Sequence, residues 1–199
     1  MNTLATITFY GAMLLLLGLL AVAIVKRVWL YRLERGYRLA MRVKEYDRAV
    51  SFMNQALDFS SATSLYLQNR ARAHYEAGDY ARAGVDYNRC LAIYQSASLY
   101  LERAMVWLAQ GLTSEALVDA NHAIACSRFW WRCYFVRARV YFALNHYAVA
   151  LDDLEQAIEY GAAHHPEARS LATEIRKRLT PAAPPDFNPS NINNRKSNI

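Results

Sequence analysis

His122, Cys126 and Cys133 are close in sequence, and with the His164-His165 pair their side chains are natural transition-metal ligands that could be imagined as one site. Their spacing argues against a metal site, because the gap between Cys126 and Cys133 is wider than the roughly two to four residues that zinc knuckles use. Cys90 stands where a small buried side chain is expected, which suits a thiol used as a packing residue. Nucleophilic and phosphate chemistry find no better foothold. There is no glycine-rich phosphate loop, nucleophile elbow or His-Glu-x-x-His, and the carboxylates are spread along the chain instead of paired. We therefore expect no enzyme, no metal, no cofactor and no small-molecule substrate. One charged pattern does recur: an arginine followed sixteen residues later by an aspartate, as Arg70 with Asp86, Arg103 with Asp119 and Arg137 with Asp153. Free arginines would bind an acidic ligand, but matched acids at constant spacing favour a ladder of internal ion pairs.

Those residues must be carried by helices. In 199 residues the apolar fraction is 54%, well above that of a disordered chain, while 7 glycines and 5 prolines are too few for a loop-rich or β-rich fold. Three cysteines make no disulfide framework, so a reducing compartment is the expected setting. The net charge of +6 is localised: residues 26–48 hold eight Lys/Arg against three Asp/Glu, and residues 49–179 hold thirteen of each. A neutral body speaks against nucleic acid. The basic block alone is suited to anionic lipid, or to nucleic acid if its binding falls steeply with salt.

From Leu4 to Val25 no residue carries a formal charge, and as a helix that stretch is roughly 33 Å long, enough to cross a bilayer. Ala21-Val22-Ala23 imitates a signal-peptide cleavage site. An uncleaved anchor is favoured because no Lys or Arg precedes the run, which also exceeds the length of a signal core. Lys26, Arg27, Arg32, Arg35, Arg38, Arg42 and Lys44 all follow it, so the positive-inside bias places the N-terminus outside and the remainder on the cytoplasmic side. A bacterial inner membrane or an equivalent organelle membrane fits that topology. Trp29 and Tyr31 fall at the expected headgroup level, and Lys26, Arg27, Arg32 and Arg35 would face the membrane surface.

Beyond residue 64 the apolar spacing is helical and it repeats. Leu67, Ala71, His74, Gly78, Ala83, Tyr87 and Cys90 return after 33 residues as Tyr100, Ala104, Trp107, Gly111, Ala116, Ala120 and Ala123. A further 34 residues on, the pattern is Tyr134, Ala138, Tyr141, Asn145, Tyr147, Ala150, Leu154 and Ala157. With the turn Gly78-Asp79-Tyr80-Ala81-Arg82-Ala83, this pattern resembles the tetratricopeptide repeat (TPR) family. Leu33, Ala40, Tyr46, Ala49, Met53 and Ala56 supply a degenerate first repeat whose turn residue is Lys44. The family's usual inter-repeat proline is missing near Gln95, Arg128 and Ala162.

The expected fold is all-α: a transmembrane helix read from the uncharged run (4–25, after a short N-terminus at 1–3), then, as the resemblance implies, a right-handed α-solenoid of antiparallel helix pairs over 30–164. Its repeats are 30–63, 64–96, 97–130 and 131–164, entered through the basic helix 26–48 and closed by a capping helix over 165–179. Residues 180–199, rich in Pro, Asn and Ser, read as a disordered tail. Phe129-Trp130-Trp131 are expected to pack between repeats. The family's inner surface, carried over by position, holds Arg38 and Arg42; Gln68, Arg72 and Tyr75; Leu101, Met105 and Leu108; and Arg132, Phe135, Arg139 and Phe142. That groove would be apolar in the middle and basic at the ends, suited to a peptide with an apolar anchor and acidic flanks. Glu102 and Val136 replace groups that some relatives use to hold a chaperone's C-terminal carboxylate, so that mode is not expected. The expected role is a membrane-tethered interaction scaffold or assembly helper, with a receptor for targeting segments or a chaperone-like client binder as the alternative.

Overall fold

The computed structural model describes residues 2–60 and 63–179, and every regular element among them is helical. The chain divides after Cys126 into two compact units. The first contains α1 (Asn2–Arg42), α2 (Tyr46–Phe59), α3 (Thr63–Glu76), α4 (Tyr80–Ile93), α5 (Ala97–Ala109) and α6 (Thr113–Cys126). The second contains α7 (Trp131–Ala143), α8 (Tyr147–Ala157), a π-turn at Ile158–Ala162 and α9 (Pro166–Leu179). The tail expected over 180–199 lies outside the described residues.

Each helix pair closes through the same turn. Lys44, Gly78, Gly111 and Asn145 all adopt positive φ, between 61° and 81°. In each case the next amide donates to the carbonyl five residues back: Glu45 to Ala40, Asp79 to His74, Leu112 to Trp107 and His146 to Tyr141, at 2.8–2.9 Å. This is a Schellman turn, which ties off the open carbonyls of a helix end. Lys44 departs from the repeat pattern in sequence yet adopts the same turn backbone. Asp79 and Ser96 then accept from the amides of Arg82 (3.1 Å) and Leu99 (3.3 Å), starting α4 and α5.

Small residues recur at fully buried positions on both helices of the pairs. Ala71, Ala104 and Ala138 on the first helices, and Ala83, Ala116 and Ala150 on the second, are all 0% exposed. In the first unit Leu33, Tyr37 and Ala40 of α1 pack on Ala49, Met53 and Ala56 of α2, with Tyr66 and Ala73 from α3. The Phe52 ring packs over Gly36, where a β-carbon would stand only 2.7 Å from it, so a larger residue there would make the ring shift. In the second unit Phe135, Ala138, Ala150, Leu154 and Ala157 pack with Ala168, Ala172 and Ile175 of α9. In the apolar stretch of α1, by contrast, Leu14 to Leu17, Val22 and Val25 are all more than half exposed. Helix α1 has the length and apolar composition of a membrane span.

Candidate partner-binding face

The arginine–aspartate pattern becomes bidentate ion pairs. Arg70 places Nε and Nη2 on the two carboxylate oxygens of Asp86, both at 2.7 Å. Arg103 does the same to Asp119 and Arg137 to Asp153, at 2.7–2.8 Å. Hydrogen bonding to the aspartate raises the pKa of each guanidinium against the opposing effect of burial. Two partners escape a reading of single helix pairs. Arg70 Nη1 donates to Asn54 and Arg103 Nη1 to Asn88, each at 2.7 Å, so each arginine also ties its pair to the preceding one. The recurrence of Asn at equivalent places in α2 and α4 is the signal in sequence that could have found them. Asp119 further accepts from Trp107 Nε1 at 3.1 Å.

These arginines are occupied by their aspartates, and the residues expected to line a groove lie on the first helices of each pair. In the first unit the face they form is organised by Glu102. Its carboxylate accepts from Gln68 Nε2 (3.1 Å), Arg72 Nη2 (2.5 Å) and the Tyr87 hydroxyl. Burial lowers the affinity of Arg72 for its proton, and Glu102 more than restores it. Burial, reinforced by Glu102, pushes the Tyr87 phenol far up, so it remains a donor. Tyr75 stands against Tyr80 with ring centroids 5.5 Å apart, while Met105 and Leu108 are half-buried. Leu101 is 3% exposed and supports this face from beneath instead of lining it. Arg38 and Arg42 are exposed, with Arg38 only 3.9 Å from Glu34. Lys26, Arg27, Arg32 and Arg35 are exposed along α1.

The corresponding face of the second unit is covered from within. Phe135 is 6% exposed, packed among Trp131 and His165 at 5.9 and 5.4 Å. Phe142 lies under the Arg178 guanidinium of α9 at 4.9 Å, and Arg178 Nη1 also donates to the Tyr147 hydroxyl at 2.9 Å. Arg132 is exposed, 5.4 Å from the Trp130 ring, and Arg139 is half-exposed. The expected aromatic floor here is therefore roofed by α9 and the residues before it. The aromatic run also divides: Trp131 packs inward, whereas Phe129 is 69% exposed, with its ring edge on Tyr160.

Among the described residues no cluster of three His, Cys, Asp or Glu side chains has the arrangement to hold a metal ion. His122 stacks on Tyr100 at 5.1 Å, and Cys133 is buried. Burial pushes the Cys90 thiol up to about 11, which leaves it an unreactive packing group.

A family model described as tetratricopeptide repeat matches residues 132–162. The DnaJ homolog subfamily C member 7 homolog of Schizosaccharomyces pombe is 29% identical over 153 residues, which cover 67% of this chain and 32% of that protein. The chain thus spans about a third of the length of this curated relative. Among solved structures, a thermophilic TPR protein of Thermus thermophilus has a TM-score of 0.62 at 20% identity, covering 74% of this chain and 82% of that one. The first TPR domain of Spaghetti (RPAP3), bound to an HSP90 peptide, has a TM-score of 0.55 at 24% identity, covering 60% and 95%. The chain is therefore similar to tetratricopeptide repeat proteins, with TPR-like antiparallel helix pairs as its fold and one repeat matched in sequence as well.

Proposed function

We propose that this chain is a membrane-tethered interaction scaffold: α1 spans a bilayer with the N-terminus outside, and the first-helix face of the first unit holds a peptide of a membrane-associated partner on the cytoplasmic side. The observation that carries the reading is the joining of an exposed apolar helix and a TPR-like helix pair in one continuous α1, from Asn2 to Arg42. Tethering raises the effective concentration of the face for partners in the same membrane, so modest affinity suffices. The RPAP3 domain binds a peptide, which supports peptide binding by a similar fold. Capture of a C-terminal carboxylate is disfavoured here, because Glu102 already engages the Arg72 side chain that would meet the acid.

Photo-crosslinking in intact membranes from positions 75, 105 and 108 tests this reading. One dominant membrane-complex subunit is the expected capture. Many unrelated chains would favour a receptor or client binder instead, and no capture from any of the three would overturn the assignment of this face. Glu102→Gln removes the negative charge beside Arg72 and is expected to strengthen crosslinking to partners with acidic flanks.

A further inference from the structure

The two ends of the helix pairs in the first unit differ in chemistry. At one end lie the turns within pairs, of which the first two are charged, with Lys44, Glu45, Asp47 and Arg48 around the first and Glu76, Asp79 and Arg82 around the second. The third turn itself, at Gly111, is uncharged, and Val43 and Leu112 are the large apolar side chains exposed at these turns, 55% and 39%. At the other end lie the corners between pairs, and these expose large apolar side chains. Phe59 is 53% exposed, Leu65 49%, Ile93 56% and Tyr94 45%. From Ile93 to Leu101 no residue carries a charge.

The apolar end is also the end from which the apolar half of α1 emerges. Helix α2 runs back along α1 until Phe59 lines a groove of about 550 Å³ with Ala21, Val22, Val25, Lys26 and Trp29. The Tyr66 hydroxyl reaches Glu34 at 3.1 Å, which sets the start of α3 beside α1 a short way beyond that groove. The contact of Gln68 with Glu102 at 3.1 Å aligns the start of α5 with that of α3. Both corners thus stand near the level of Lys26 and Trp29, where the uncharged stretch of α1 gives way to basic and aromatic residues.

We propose that this edge of the first unit lies on a phospholipid bilayer, with Phe59, Leu65, Ile93 and Tyr94 seated in its headgroup layer. The proposal rests on α1 spanning the bilayer. Aromatic rings prefer that layer, and an apolar edge continuous with a membrane helix is already placed to enter it. The groove between Phe59 and Val22 and Val25 opens onto the surface that α1 presents to lipid, so an acyl chain fills it without new exposure of polar groups. The charged turns at the opposite end then face the cytoplasm, and the partner-binding face stands at an angle to the membrane instead of lying on it.

The test uses the full chain with Cys126→Ser, which removes the exposed thiol. Single cysteines replace Leu16, Phe59, Tyr94, Lys44 or Glu76 and carry an environment-sensitive fluorophore. The protein is reconstituted in phosphatidylcholine–phosphatidylglycerol vesicles containing lipids with spin labels near the headgroup or deep in the chain. The expected result is quenching at 59 and 94 by shallow labels at least about threefold stronger than at 44 and 76, with position 16 quenched by deep labels. If 59 and 94 behave like 44 and 76 while 16 is quenched, the edge is not on lipid and the proposal is overturned, although the anchor stands. If 16 is not quenched either, the anchor and the edge fall together.

Discussion

In the first unit the face of the first helices is cross-linked by polar groups, with Glu102 taking Gln68, Arg72 and Tyr87, and its apolar members remain half-buried beside that cluster. In the second unit the equivalent face carries aromatic rings, and α9 covers them through Ile175, Arg178 and the residues around His165. The contrast shows that one repeat architecture yields two kinds of surface. Where a further pair follows, a polar cluster holds the helices and leaves apolar side chains half-buried. Where the repeats end, the apolar side chains are used up in closing the core.

Substitutions that affect the two units unequally sharpen this comparison, and the largest effect is expected at the ion pairs. Asp119→Ala leaves Arg103 without its bidentate partner and Trp107 Nε1 without an acceptor, in a site where the aspartate is 1% exposed. The expected cost is about 3 kcal/mol, near the low end for breaking a buried pair because Arg103 retains some contact with water. Thermal unfolding should show a larger loss for Asp119→Ala than for Asp153→Ala, where Tyr141 stands in place of the tryptophan. Partner crosslinking by the folded Asp119→Ala protein should be unchanged. Equal losses would mean that the indole bond adds nothing.

Ile175→Ala comes next. This side chain is 0% exposed and holds α9 on the second core, so about 2 kcal/mol is expected from the cavity and lost burial. Binding of an apolar dye should rise as Phe135 and Phe142 are uncovered. A dye signal no higher than that of the parent protein would show that α9 is not their cover.

A smaller effect distinguishes the units by pH. His74 occupies the repeat position held by Trp107 and Tyr141, it is 6% exposed, and burial holds its pKa below the usual 6.5. The unfolded chain therefore protonates first on acidification. Stability contributed by the neutral imidazole is complete above about pH 6.5 and is lost as pH falls through the lower folded value. Melting temperature measured from about pH 7 to about pH 5 should fall more steeply in the parent protein than in His74→Phe.

The smallest effect is at the turns. Lys44 holds a left-handed conformation that Asn145 tolerates more readily. Lys44→Gly should stabilise by about 0.5–1 kcal/mol, and Asn145→Gly by only a few tenths, in denaturant melts.

The contrast also marks what sequence can reveal. The repeat is legible because a close helix contact admits little besides alanine, so Ala71, Ala104 and Ala138 recur at one phase. The ion-pair ladder is legible because Arg and Asp face each other across one hairpin at fixed separation. In sequence Glu102 reads only as an unsuitable residue for holding a carboxylate. Its partners lie on other helices, and long flexible side chains leave several pairings open until the helices are stacked. For the same reason Phe135 and Phe142 read as members of an open groove. Their register on α7 is that of a lining residue, and only the docking of α9 through Ala168, Ala172 and Ile175 shows that they are covered.

The unbroken course of α1 has a mechanical consequence. With no loop between its apolar half and the residues that pack on α2, the helix is a drive shaft, and torque on one half is delivered to the other. Each residue inserted between Val25 and Lys26 would turn the first unit by about 100° about that shaft and advance it by about 1.5 Å. A series of one to four inserted alanines would therefore sweep the face proposed to bind a partner through a full circle, and crosslinking plotted against insertion length should rise and fall with the period of the helix.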